Sequence, residues 1–257
     1  MIKLIPLIRI GYRAVLLILL IILGSLLTLI LPRGTMPRRG LTSHITCWWH
    51  RRVLQILGIK VNSYGTAANS ATLFVANHLS WLDIHLIGSR LPVRFLSKAE
   101  VKDWPVFGWL ASRAGTLYIP RGTKSASANA IRIMQQTLRD DQHVALFPEG
   151  TTSDGNIKRF HGRLMQSAID AECLIQPVAI QYPDSKGNPV DTAVLYTGDT
   201  TFMESVKNVM AAKNLTAELH FLEPINPQNM NPVELASYTE ERIKKIVRKG
   251  REKGKNK

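Results

Sequence analysis

The sequence predicts an α/β protein: a mostly parallel central sheet flanked by helices, with membrane-associated helices at its N-terminus. Three observations predict it. From residue 60 onward, short apolar runs alternate with helix-like stretches, the pattern of strands joined by crossover helices. Ala14–Leu31 (AVLLILLIILGSLLTLIL) is 18 residues without a charge. The formal charge of +14 sits at the two ends: residues 1–82 hold nine Lys/Arg and no Asp/Glu, residues 240–257 hold nine basic and three acidic residues, and the stretch between is near neutral.

Each element follows in order. Residues 1–58 form an N-terminal membrane-associated helical region. As a helix, Ala14–Leu31 would be roughly 27 Å long, near the ~30 Å hydrocarbon core of a bilayer. A cleaved signal peptide fits poorly, because the run exceeds the ~7–15 residues of an h-region and Pro32-Arg33-Gly34 stand where small residues are wanted. Gly24 and Ser25 would allow a bend. Lys3, Arg9 and Arg13 precede the run, and Arg33, Arg38, Arg39, Arg51 and Arg52 follow it. That excess favours the C-terminal side being cytosolic, at the inner membrane. Residues 32–43 read as a linker. Ile45–Leu57, with Trp48 and Trp49 beside Arg51 and Arg52, reads as a helix at the headgroup level or as a plain core helix.

Residues 59–249 form the α/β domain. Strands are expected at 60–64, 71–76, 93–96, 116–119, 143–147, 174–181, 193–196 and 217–221. Helices are expected at 81–91, 106–114, 125–139, 162–171, 202–212 and 232–249. The basic tail, residues 250–257, reads as disordered. Basic ends suit a polyanion, and the apolar anchor selects lipid over nucleic acid as the partner. Cys47 and Cys173 are too far apart for a disulfide framework or a metal set and read as free thiols. No metal or redox cofactor is expected.

The chemistry gathers in Asn77-His78-Leu79-Ser80-Trp81-Leu82-Asp83. Asp83 is the first carboxylate of the chain. Residues five apart on one helix point about 140° from each other, so His78 and Asp83 meet only if His78 precedes the helix. Ser80 and Asp83 have capping-box spacing, which supplies that break. Asp83 could then fix the imidazole tautomer and leave the other nitrogen to accept a hydroxyl proton, or it could simply cap the helix with His78 structural; the spacing alone leaves both readings open. Phe147-Pro148-Glu149-Gly150-Thr151-Thr152-Ser153 closes a second strand, at the end where α/β sites lie. Glu149 is expected to bind a polyol, with Gly150 permitting close approach. Arg121, after a third strand, could clamp a phosphate, and Lys98 is a similar candidate. His85 is read as a helix residue and not a second base; His143 and His161 are read as structural.

On these residues the chain resembles the glycerolipid acyltransferases, the group containing 1-acyl-glycerol-3-phosphate acyltransferase. Asn77–Asp83 is similar to their His-four-residues-Asp block, Tyr118–Gly122 to the second, Phe147–Thr151 to the third and Ile175–Ile180 to the fourth. Lys98–Gly108, with Glu100 and Pro105, is similar to a further family segment. The resemblance implies His78 as base with Asp83 as its partner, and Arg121, Glu149, Gly150, Thr151 and Lys98 binding the acceptor. It implies acyl transfer from acyl-ACP or acyl-CoA to the sn-2 hydroxyl of 1-acyl-glycerol-3-phosphate. Many relatives have arginine where this chain has Thr152, and lysine near His161. Relatives that acylate lyso-ornithine lipid look similar to the Gly-Thr-Thr-Ser-Asp-Gly stretch, so that acceptor stays open. A lipid hydrolase would want a Gly-x-Ser-x-Gly elbow, which the chain lacks. A non-catalytic membrane-binding protein would tolerate loss of His78.

Overall fold

Buried β-branched and leucine-rich runs form the strands β1 (Ile59–Tyr64), β2 (Thr72–Ala76), β3 (Val93–Lys98), β4 (Leu117–Ile119), β5 (His143–Leu146), β6 (Leu174–Gln181) and β7 (Leu215–Phe221). The computed structural model describes residues 4–30, 38, 40–119, 124–185, 188 and 190–255. The strands make one sheet in the order β1-β7-β6-β2-β5-β3-β4. Every neighbouring pair is parallel except β6 and β7.

The helices are α1 (Leu4–Ile30), α2 (Leu41–Ile56), α3 (Leu82–Gly88), α4 (Phe107–Arg113), α5 (Lys124–Arg139), α6 (Gln166–Asp170), α7 (Phe202–Ala211) and α8 (Pro232–Lys255). β2 lies mid-sheet and all five of its residues are buried. Its alternating side chains serve two cores, as a strand's period of two requires. Phe74 and Ala76 join Val53, Leu54, Leu82 and Leu86 on the α2/α3 face. Leu73 and Val75 join Met134, Leu138, Ile243 and Val247 on the α5/α8 face. The strands therefore read as continuous apolar runs because helices cover both faces.

Three expectations change. Residues 193–196 are not a strand. The Asp191 carboxylate accepts from the Ala193 amide at 2.9 Å and turns the chain into a 3-10 segment, Thr192–Val194; a local side-chain bond displaces a ladder. α8 runs to Lys255, past the expected end at Lys249. A Cβ at Gly250 would stand 2.4 Å from Gln181 Nε2, and Gln181 itself donates to the Val247 carbonyl at 3.2 Å, so the glycine lets the helix pass close over β6. α1 continues through Gly24 without a break; that glycine makes room for Trp49, whose Nε1 would lie 2.9 Å from a Cβ there.

The arginines at the start of α1 are not free flanking charges. Arg13, 5 % exposed, donates from Nη1 to the carbonyls of Met210 at 2.9 Å and Ala212 at 2.8 Å. Arg9 donates to the Ala211 carbonyl at 2.7 Å. Together they cap the C-terminus of α7, where orphan carbonyls and the helix dipole favour cations. Beyond the other end of α1, Arg38 forms an ion pair with Asp141.

Candidate active site

β2 is flanked by β6 and β5, and the site is built where these three neighbours end. One residue past β2, Asn77 is buried and uses both ends of its amide on β6. Its Nδ2 donates to the Ile180 carbonyl at 3.0 Å and its Oδ1 accepts from the Ile180 amide at 2.8 Å. That fixes where His78 emerges.

His78 donates from Nδ1 to Asp83 Oδ2 at 2.7 Å, since an ionised carboxylate only accepts. The same oxygen accepts from the backbone amides of Leu79 at 2.7 Å and Ser80 at 3.0 Å. The Tyr182 hydroxyl donates to Asp83 Oδ1 at 2.7 Å. Asp83 and Tyr182 are both fully buried. Burial and the neighbouring Asp83 charge push the Tyr182 phenol well above its ordinary range, which keeps the proton that it donates. His78 precedes the helix, as the spacing requires. Only half of the capping box forms, though: the Asp83 carboxylate accepts from the Ser80 amide, while Ser80 Oγ is buried without a partner and Trp81 is the N-cap.

The loop after β5 grips the backbone of His78 from the other side. Glu149 Oε1 accepts from the His78 amide at 2.8 Å, and the Ser153 amide donates to the His78 carbonyl at 2.8 Å. Glu149 Oε2 accepts from the Lys158 amide at 2.8 Å. Burial raises the Glu149 carboxyl above its ordinary range, and these amide donors oppose that rise. Glu149 is 5 % exposed and does not line the cavity described below. Its oxygens accept from backbone, so it braces His78 where the sequence had suggested an acceptor ligand. Phe147 stacks on the His78 ring, with centroids 4.1 Å apart and planes 14° apart. With Nδ1 tied to Asp83, Nε2 is the nitrogen available as proton acceptor.

A cavity of about 1300 Å³ opens beside His78. α1 and α2 form much of its wall through Leu17, Leu20, Ile21, Ile45 and Trp49. Trp49 turns inward and donates from Nε1 to the Leu20 carbonyl at 3.4 Å, whereas Trp48 stays half-buried with Arg52 over its ring. Gly150, Thr151 and Lys98 line the cavity; Gly150 has φ 69°, a left-handed position that suits glycine. Thr152, Asp154, Lys158, His161 and Arg163 line it too. Arg121 lies outside the described residues. Two participants, Tyr182 and Asn77, were missed by sequence reasoning, while His85 lies on α3 as expected. Tyr182 stands 99 residues from Asp83, and no spacing could reveal it. Asn77 lay inside the motif but drew no role. His85 lines the cavity and bonds His50 through Nδ1 atoms 2.9 Å apart. Burial holds His50 down to about 4 and His85 well below its ordinary value, so both are neutral and one donates to the other.

A histidine held by a buried carboxylate beside a large, mostly apolar cavity is an arrangement suited to activating a hydroxyl. Residues 59–181 match the family model described as Acyltransferase. The chain is 38 % identical over 205 residues to a lyso-ornithine lipid O-acyltransferase of Pseudomonas aeruginosa, covering 79 % of this chain and 78 % of that one. It is 34 % identical over 167 residues to a 1-acyl-sn-glycerol-3-phosphate acyltransferase of Neisseria gonorrhoeae, covering 65 % of each. The crystal structure of the 1-acyl-sn-glycerophosphate acyltransferase PlsC from Thermotoga maritima has the same fold, with a TM-score of 0.70 over 97 % of both chains at 21 % identity. The chain belongs to the glycerolipid acyltransferase family. It is an O-acyltransferase acting on lysolipids, and it is membrane-associated.

Proposed function

We propose that the enzyme moves a fatty acyl group from a thioester, acyl-ACP or acyl-CoA, to the hydroxyl of a lyso-ornithine lipid. The observation that carries this choice is the cavity wall formed by residues 152–163. Thr152 brings no charge to it, and its hydroxyl donates to the Tyr196 carbonyl. Asp154 is the one carboxylate among the described lining residues, and Lys158 and Arg163 line the cavity with it. An ornithine headgroup carries both a carboxylate and an ammonium, so a wall of mixed sign complements it. A phosphate acceptor is the second reading: Lys98, Lys158 and Arg163 favour it, and relatives of both kinds match.

In either case the chemistry is the same. Nε2 of His78 takes the acceptor's hydroxyl proton as the oxygen attacks the thioester carbonyl, and Asp83 stabilises the imidazolium. Collapse of the tetrahedral intermediate breaks the C–S bond, and the departing sulfur takes the proton back from His78. The apolar cavity suits an acyl chain. α1 is bonded to the domain through Arg9 and Arg13, and Arg38 beyond its other end pairs with the domain again. We therefore place α1 in one leaflet, at the inner membrane, with the domain on the cytosolic side.

The test is purified protein with labelled acyl thioester and a panel of lysolipids. Lyso-ornithine lipid is expected to be the preferred acceptor, and His78→Ala to abolish transfer while the protein stays folded. Asp154→Asn should raise KM for lyso-ornithine lipid about tenfold, worth about 1.4 kcal/mol, and leave 1-acyl-glycerol-3-phosphate unaffected. Preference for the phosphate acceptor would sink the ornithine reading.

A further inference from the structure

The cavity mouth carries a second apolar surface, only part of which lines the cavity. Lys102–Phe107 are six consecutive exposed residues. Trp104, Val106, Phe107 and Trp109 are 38, 49, 45 and 40 % exposed. Val106 has φ 62°, and the Phe107 amide donates to the Pro105 carbonyl at 2.6 Å. This is a three-residue γ-turn of the strained hand, in a region that β-branched residues avoid. Such a conformation persists only where its surroundings hold it. Here the Gly108 amide donates to the Trp104 carbonyl at 2.9 Å, and a Cβ on Gly108 would stand 2.1 Å from the Lys102 carbonyl oxygen. The tip is thus rigid, and it projects large apolar side chains outward.

Substrate contact explains only part of this. Trp104 and Phe107 line the cavity and meet the Phe202 ring at 5.4 and 6.2 Å. Val106 and Trp109 do not line it. The neighbouring surface supplies their role. α4, which begins at Phe107, packs against α1, and α1 turns Val15, Leu16, Leu19 and Leu23 outward. The tip therefore stands beside α1, whose outward side is apolar. Along residues 98–109 the two lysines, Lys98 and Lys102, are balanced in number by Glu100 and Asp103, so this segment has no net charge to offer an acidic carrier protein. A large apolar patch without charge bias suits the acyl region of a bilayer.

We propose that the Trp104–Trp109 tip is a second membrane-insertion element that, with α1, seats the cavity mouth in the bilayer. The proposal rests on the membrane association of α1. The test uses the full chain with Cys47→Ala and Cys173→Ser, carrying one cysteine labelled with an environment-sensitive dye. The positions are V106C and W109C, with L16C on α1 as lipid control and N229C, exposed in the loop before α8, as aqueous control. Each variant is added to phosphatidylcholine vesicles with a nitroxide at the fifth acyl carbon, after confirming that it melts as the parent does. Labels at 106 and 109 are expected to shift to the blue and to be quenched as at 16, several-fold more than at 229. Quenching at 16 without quenching at 106 and 109 overturns the insertion element and leaves α1's role intact. Absence of quenching at all four overturns both. A response at 106 and 109 to acyl carrier protein, with none to vesicles, overturns the proposal in favour of carrier docking.

Discussion

Glu149→Gln separates two roles for the carboxylate that closes β5. A carboxylate accepts at both oxygens, whereas an amide accepts at one end and donates at the other. In the structure Oε1 serves the His78 amide and Oε2 the Lys158 amide, each at 2.8 Å. Whichever way the glutamine turns, one backbone N–H faces an NH2 group. The variant therefore loses one charge-assisted bond, worth about 1.5–3 kcal/mol, and leaves a part-buried donor unmet. In one orientation the loop at Lys158 is released. In the other the backbone of His78 is released, while Asp83 and Phe147 still hold its ring.

Misplacing a base by about 1 Å costs on the order of 10² in rate. The expected result is a roughly 10- to 100-fold fall in kcat with KM for the lysolipid unchanged, read by thiol release from the acyl thioester. That split marks an interaction that serves the transition state and not the ground state. The melting temperature should fall as well. A raised KM with kcat preserved would refute the reasoning, because it would mean that Glu149 touches the acceptor.

Tyr182→Phe keeps the ring and removes the donor to Asp83 Oδ1; denaturant unfolding should show a loss of about 1.5–3 kcal/mol, with kcat reduced and KM unaltered. Arg13→Met leaves the Val209, Met210 and Ala212 carbonyls without the guanidinium, which should cost on the order of 3 kcal/mol and expose α1 to limited proteolysis. His50 and His143 are each held down to about 4 by burial. Their unfolded forms bind protons first as pH falls, so stability should be full above about 6.5 and decline toward 4, by on the order of 3 kcal/mol per histidine; thermal melts across that range check it, and His143→Gln should flatten the slope.

The readable parts of the molecule are those whose partners are close in sequence or whose pattern is periodic. β2 and β6 announce themselves as apolar runs because both faces are covered. His78 and Asp83 are legible because five residues separate them and a helix start must fall between. Ser80 shows the limit of such spacing. Only the Asp83 half of the capping box forms, and the serine hydroxyl takes no part. Tyr182 and Asn77 act across strands that the sequence places about 100 residues away, and only the β2–β6 pairing makes them neighbours. Glu149 was found by its place at a strand end, but composition cannot say whether a carboxylate faces substrate or backbone.

The same limit governs the N-terminus, where counting charges misjudged what the arginines do. Arg9 and Arg13 entered the orientation count as charges preceding the apolar run, yet they are spent on the carbonyls of α7. α1, about 40 Å long at ~1.5 Å per residue, is thereby tied to the catalytic body near its start, and Arg38 ties the chain again beyond its end. The outward face of α1 is left for lipid, and its inward face supplies Leu17, Leu20 and Ile21 to the cavity beside His78. Attachment to the membrane and completion of the cavity are then one structural arrangement. A helix that served only as a tether would have no reason to bury an arginine in the domain or to place three aliphatic side chains in the wall of the site.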